Sequence, residues 1–185
     1  MMLCLYPDPV LRQVASDVIV GDTGARYVLD EMANKMYEWR GAGLAAPQVG
    51  ISKKMIVVNV MNPSILYQMI NPVIVYRSEE MVDSSEGCLS IPLVTAKVPR
   101  YACVSVEYYD CDYKKRVIEA TGLLSMCLQH EIDHLSGILY VDKLSKYSRS
   151  RLVKKSARLV KEQDAEQELC GSREFVSFIN DTSGT

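Results

Sequence analysis

The chain has two histidines, His130 and His134, and they stand four positions apart in the run Gln129-His-Glu-Ile-Asp-His134. On a helix, residues four apart share one face about one turn from each other, so the two imidazoles can hold a single cation. Glu131, one step round from His130, can reach a water beside that cation and take its proton. The H-E-x-x-H pattern therefore points to metal-assisted hydrolysis. Leu128, Ile132 and Leu135 supply the apolar residues of a buried helix, and Asp133 reads as an orienting group behind the ligands or as a surface charge.

A catalytic site of this kind needs a third protein ligand and an open position. The metzincin pattern would place a third histidine ten residues after His130, where this chain has Tyr140. A gluzincin-like peptidase would draw a glutamate from a later helix, with Glu162, Glu166 and Glu168 as candidates. Cys127 shares the helical face but lies about 10 Å along the axis from His134, so it reads as a wall of the site. Cys88 sits in Ser84-Ser-Glu-Gly-Cys-Leu-Ser-Ile-Pro92, where Gly87 allows close backbone approach and Pro92 is expected to end a strand. A thiolate with two imidazoles suits Zn or Fe. The glycine- and alanine-rich run Gly41-Ala-Gly-Leu-Ala-Ala-Pro-Gln-Val-Gly50 removes side chains where something approaches the backbone, and Gln48 is its one side-chain donor for a reacting oxygen.

Elements that could position these residues follow from periodicity. Asp8-Pro9 suits the start of a short helix. After Asp22 and Thr23, the spacing of Val28, Leu29, Met32, Met36 and Trp39 predicts a helix stopped by Gly41 and Gly43. Short β-rich runs follow: Met55 to Val60, Leu66 to Tyr76 with a break at Asn71-Pro72, and Cys103 to Tyr109 paired with Val117 to Ala120 across a turn at Asp110 to Lys114. Thr121 opens the helix that carries the histidines, closed near Leu135 by Gly137, and a last helix is expected over about Leu144 to Leu169. The fold class is α+β, with mostly antiparallel sheets around the metal helix.

Taken in order and spacing, Gly41-Ala-Gly-Leu-Ala-Ala-Pro-Gln48, Glu86-Gly-Cys-Leu-Ser90 and His130-Glu-Ile-Asp-His134 resemble the three motifs of the peptide deformylase family. The resemblance spans roughly Leu5 to Lys143, including an Asn71-Pro72 entry to a middle hairpin and a strand after the metal helix that ends at Asp142. Only residues 73 to 85 separate Pro72 from Glu86, which resembles the bacterial short-hairpin subclass with a long C-terminal helix. The resemblance implies removal of the formyl group from nascent polypeptides that start with formylmethionine. It also implies Cys88, His130 and His134 as ligands of one divalent metal, Fe(II) in the cell with Zn, Ni or Co as substitutes. Glu131 would be general base and acid, and the Leu89 N–H and the Gln48 side chain would form the oxyanion hole. Gly43 would pair with the substrate backbone, while Leu123, Met126 and Cys127 would line a methionine pocket. Glu86 would pair with Arg100 to hold the Cys88 loop. Leu93, where many relatives have glycine, and Ser136, where asparagine is common, depart from the pattern.

Composition sets the outer limits. The 185 residues are 48% hydrophobic and 24% charged with a net charge of −2, which fits one globular domain and excludes a disordered chain. No apolar run approaches the ~20 residues of a membrane helix. The start lacks a basic leader, so a cytoplasmic protein is expected. Six cysteines without paired spacing read as free thiols, not a disulfide framework. Residues 1–142 carry 12 basic and 17 acidic groups, residues 143–161 carry 8 basic and no acidic groups, and residues 162–185 carry 6 acids against Arg173. The chain thus reads as a catalytic domain over 1–143 with a helical extension over 144–185 whose end is acidic and frayed. The basic stretch predicts contact with ribosomal RNA near emerging substrates. It also keeps open a non-enzymatic ribosome- or RNA-binding protein with a structural metal, although a closed structural site needs no Glu131.

Overall fold

Four consecutive apolar residues, Met55–Val58, form strand β2 and are buried on both faces, so this strand must lie between two layers. A computed structural model shows which layers these are. It describes the backbone of residues 1–60 and 65–180 and, within that range, side chains up to residue 164. Met55 and Val57 face helix α1 (Ala25–Glu38) through Leu29, Met32 and Met36. Ile56 and Val58 face the other way, toward Leu128 and Leu135 of helix α2 (Gly122–Leu135). The central strand thus places the metal helix against the sheet.

Around β2 runs an antiparallel five-stranded sheet in the order β1-β2-β3-β6-β7, formed by Gly43–Ala45, Met55–Val58, Tyr67–Arg77, Cys103–Tyr109 and Lys115–Thr121. A separate hairpin pairs β4 (Met81–Cys88) with β5 (Ile91–Tyr101). Helix α3 (Lys146–Asn180) packs on β5, where its Leu152, Val153 and Leu159 cover Ile91, Val94 and Val98. Ser156 Oγ donates to the Pro92 carbonyl at 2.7 Å, which fixes the helix in register with the hairpin. Helix α3 thus shares a hydrophobic cluster with the hairpin.

The pairing of β6 with β7, the capped turn at Asp8-Pro9 and the extents of α1 and α2 agree with the periodicity. Five local expectations need correction. Asn71-Pro72 does not break the strand but makes a bulge within β3, with Asn71 in the left-handed region (φ 50) and its side chain bonded to both Val18 N and Val18 O. Pro92 does not end a strand, because β4 stops at Cys88 and Pro92 is the second residue of β5. Gly87 has ordinary room around its α-carbon and is not required by close approach. After the metal helix, Tyr140–Lys143 forms a 3-10 turn instead of a strand, with the Asp142 side chain accepting from Leu139 N. Gly41 and Gly43 lie beyond the α1 stop, since Trp39 caps that helix and Gly43 already opens β1.

Candidate metal centre

Each part of the centre sits at the end or on the inner face of an element that packing holds rigidly. α2 presents His130, Glu131 and His134, all buried, on the side facing β1 and the hairpin. Along β4, Ser84, Glu86 and Cys88 alternate with exposed neighbours and point inward. Gln48 lies in a buried 3-10 turn (Ala46–Val49) that follows β1 directly. The result is that Cys88 Sγ and one nitrogen from each of His130 and His134 lie within 4.8 Å of one another.

Hydrogen bonds set the orientation of this set. His130 Nδ1 meets Glu86 Oε2 at 2.8 Å, which leaves Nε2 for a cation. Glu86 also accepts from Arg100 Nε at 2.7 Å and Nη2 at 2.9 Å, and Arg100 Nη1 donates to Asp133 Oδ2 at 2.5 Å. Burial would raise the Glu86 pKa, but the bonds from Arg100 and His130 outweigh it and hold the carboxyl at about 2. His134 Nε2 lies 3.4 Å from Cys88 Sγ, and its burial lowers its pKa, favouring the neutral imidazole that a metal needs. The donor set, one soft thiolate and two imidazoles, fits a divalent transition metal.

Glu131 carries an orphan. Its Oε2 is buried without a hydrogen-bond partner among the described residues, and burial raises its pKa to about 7. A carboxyl poised near neutrality beside a metal-competent cluster is suited to proton transfer. Gln48 is fixed at one end, where its Oε1 accepts from Ala45 N at 2.8 Å, while its Nε2 lies 3.3 Å from Ser90 Oγ and 3.5 Å from Cys88 Sγ.

These groups form the floor of a cavity of about 610 Å³. Gly43, Leu89, Leu123, Met126 and Cys127 line it with Cys88, His130 and Glu131, so the residues singled out from the sequence meet in one place. His134 stands behind them and does not line the cavity. Glu162, in contrast, is exposed on α3 and pairs with Arg158 at 3.4 Å; the side chains of Glu166 and Glu168 lie outside the described residues. Leu93, singled out in the sequence as a departure from the resemblance, lines the cavity too, while Arg40, Leu152 and Lys155, which also line it, were missed. The ring of Tyr140, whose centroid is 5.9 Å from that of His130, was missed as well.

A helix-borne imidazole pair and a thiolate, with a buried carboxyl beside them and antiparallel sheets around them, have the make-up of a metallohydrolase of the H-E-x-x-H kind. The profile of the polypeptide deformylase family matches residues 1–150. The chain is 43% identical over 166 residues to the peptide deformylase of Rhizobium meliloti (strain 1021), covering 88% of this chain and 95% of that protein. A crystal structure of peptide deformylase from Ehrlichia chaffeensis superposes with a TM-score of 0.84 at 34% identity, covering 88% of this chain and 98% of that one. The peptide deformylase of Synechococcus elongatus, solved in complex with actinonin, gives 0.80 at 37% identity over 85% and 88% of the two chains. The chain belongs to the polypeptide deformylase family. It is a hydrolase that removes the N-formyl group from nascent peptides.

Proposed function

We propose that formylmethionine at a peptide's N-terminus is hydrolysed between Glu131, Gln48 and the cluster of Cys88, His130 and His134. The observation that carries this reading is the orphaned, buried Glu131 carboxyl beside three metal-competent donors, two of which, Cys88 and His130, line one cavity with it. A divalent ion held by Cys88, His130 and His134 would polarise the formyl carbonyl and acidify a nearby water. Glu131 takes the proton of the attacking water and passes it to the methionine nitrogen, so that the carbon–nitrogen bond breaks and formate leaves. Gln48 Nε2 and the Leu89 N–H donate to the formyl oxygen as it gains negative charge, an effect of about 3–4 kcal/mol per donor in related chemistry. β1 is an edge strand, and Gly43 on it offers its backbone to the substrate chain. Leu123, Met126 and Cys127 receive the methionine side chain, while Glu86 and Arg100 hold His130 and the Cys88 turn in place.

The ion in the cell is Fe(II), with Zn, Ni or Co as substitutes, in line with the family resemblance and the mixed thiolate and imidazole donors. Equal aerobic half-lives of Fe- and Ni-loaded enzyme would reject iron, because a thiolate on ferrous iron is prone to oxidation. The enzyme works in the cytoplasm on chains leaving the ribosome, and the basic face of α3 docks it there. No helix among the described residues is long and apolar enough to cross a membrane. Replacing exposed Lys146, Lys154 and Lys161 with glutamine should weaken ribosome co-sedimentation and lower its salt slope by roughly 0.7–0.9 per lost contact. Unchanged sedimentation would reject the docking.

The deciding experiment for the reaction is release of formate from a formyl-Met peptide by anaerobically purified protein. Cys88→Ser should lose metal and activity together; retained metal would return the third-ligand role to a glutamate.

A further inference from the structure

The cavity lining includes Arg40, Gly41, Ala42 and Gly43 between α1 and β1, Pro92 to Thr95 of the hairpin, and Leu152 and Lys155 of α3. Its two acids are committed: Glu86 to Arg100 and His130, and Glu131 to the floor beside the ligand cluster. Its two long cationic side chains are not. The side chains of Arg40 and Lys155 are exposed and have no ion pair or hydrogen bond among the described residues. The opening of the cleft therefore carries positive charge without compensation.

Backbone conformation supplies an independent sign. Arg40 follows the end of α1 with φ 57, and the Gly41 N–H returns to the Met36 carbonyl at 2.8 Å, a helix ending in which glycine normally holds the left-handed position. Leu93, also in the lining, has φ 66 and is 52% exposed. Two lining residues thus carry a large side chain in a conformation that disfavours L-residues. Conformations of this kind are held by the structure around them and cluster at ligand sites. Leu93 and Leu152 give the lining an apolar part, and Arg40 and Lys155 give it charge.

We propose that Arg40 and Lys155 form an acid-selective subsite for the residues that follow formylmethionine in the substrate. This rests on the deformylase reading and specifies its peptide class: formyl-Met chains with aspartate or glutamate early in the sequence. With the formyl group at the floor and the methionine side chain among Leu123, Met126 and Cys127, the rest of the peptide leaves through the opening that Arg40 and Lys155 flank. Exposed pairs of this kind shift a specificity constant by about two- to fivefold, and added salt screens them.

The test compares kcat/KM for formyl-Met peptides carrying Asp, Ser or Lys at the second, third or fourth position. In the native enzyme, Asp should outrun Lys by about two- to fivefold in at least one of these positions, with the ratio falling toward unity in high salt. Lys155→Gln and Arg40→Gln should each reduce that ratio, and Lys155→Arg should preserve it; because each ratio is taken within one variant, loss of folded enzyme does not mimic the effect. Equal rates for Asp and Lys peptides at all positions, or ratios unchanged in both glutamine variants, would overturn the subsite. Failure of the native enzyme on the Ser peptides would instead strike the deformylase reading itself.

Discussion

A β-carbon on Gly43 would stand 2.5 Å from Oε1 of Glu131, and also 2.9 Å from Cys127 Sγ. The glycine is therefore required by the place that the carboxylate occupies, independently of any contact with substrate. We expect Gly43→Ala to push Glu131 aside and lower kcat by about a hundredfold, the scale of a 1 Å misplacement. Metal per chain should stay near that of the native enzyme, because the atoms nearest the new methyl group belong to Glu131 and Cys127 and not to Cys88, His130 or His134. Full activity in the alanine variant would show that Glu131 has room to move without consequence.

Glu131→Gln keeps the shape of the side chain and removes its capacity to carry a proton. Turnover should fall by about 10²- to 10⁴-fold, the range for a lost general acid–base group. Elemental analysis should find the metal retained, since Cys88, His130 and His134 are untouched. Comparable turnover in the metal-loaded variant would remove Glu131 from the mechanism.

Arg100 is 2% exposed and bridges Glu86 and Asp133. Arg100→Leu strands the buried Glu86 charge, a change that costs about 3–5 kcal/mol in comparable pairs. By loosening the partner of His130, it should also weaken metal affinity about 10- to 100-fold. The pH dependence has a definite sign. The folded pKa of Glu86, about 2, lies below its ordinary value of 4.5, so its stabilisation is full above 4.5 and is lost as pH falls toward 2. Urea denaturation should accordingly show the gap between native enzyme and Glu86→Gln narrowing as pH falls from about 5 toward about 2. A gap of constant size would contradict the ion pair.

The metal helix is legible in the sequence because its polar ligands interrupt an otherwise apolar face at one-turn spacing. The β4 strand hides for a related reason. Its residues do alternate between buried and exposed, but those pointing inward are Ser84, Glu86 and Cys88, so no hydrophobic period marks it. The segment stands out in the sequence only through the thiolate of Cys88 as a partner for two imidazoles and through the motif resemblance. β1 hides differently, since Gly43, Leu44 and Ala45 are all buried between the α1 and α2 layers and resemble a tight loop in composition. The Asn71-Pro72 pair reads as a strand break because Pro lacks a donor, yet a bulge absorbs it within an unbroken β3. Arg40 and Lys155 could not be brought together by any local pattern. They reach one cavity only because α3 packs across β5.

That same packing decides where the chain can be cut. The described contacts of α3 lie within residues 146–164: Leu152, Val153 and Leu159 cover the hairpin, Ser156 bonds to Pro92, and Arg149 Nη1 meets Asp142 Oδ1 at 2.9 Å. Ending the chain at residue 143 would expose Ile91, Val94 and Val98 beside the turn that carries Cys88. Each large apolar side chain uncovered costs about 1.5–3 kcal/mol, so the loss should be several kcal/mol and the hairpin should loosen. Ending it at residue 164 leaves every described contact in place. We therefore expect the 1–164 protein to keep the thermal midpoint and formate release of the full chain, and the 1–143 protein to melt at a much lower temperature and lose metal. Equal midpoints for the 1–143 and full-length chains would show that α3 is an appendage rather than a wall of the active site.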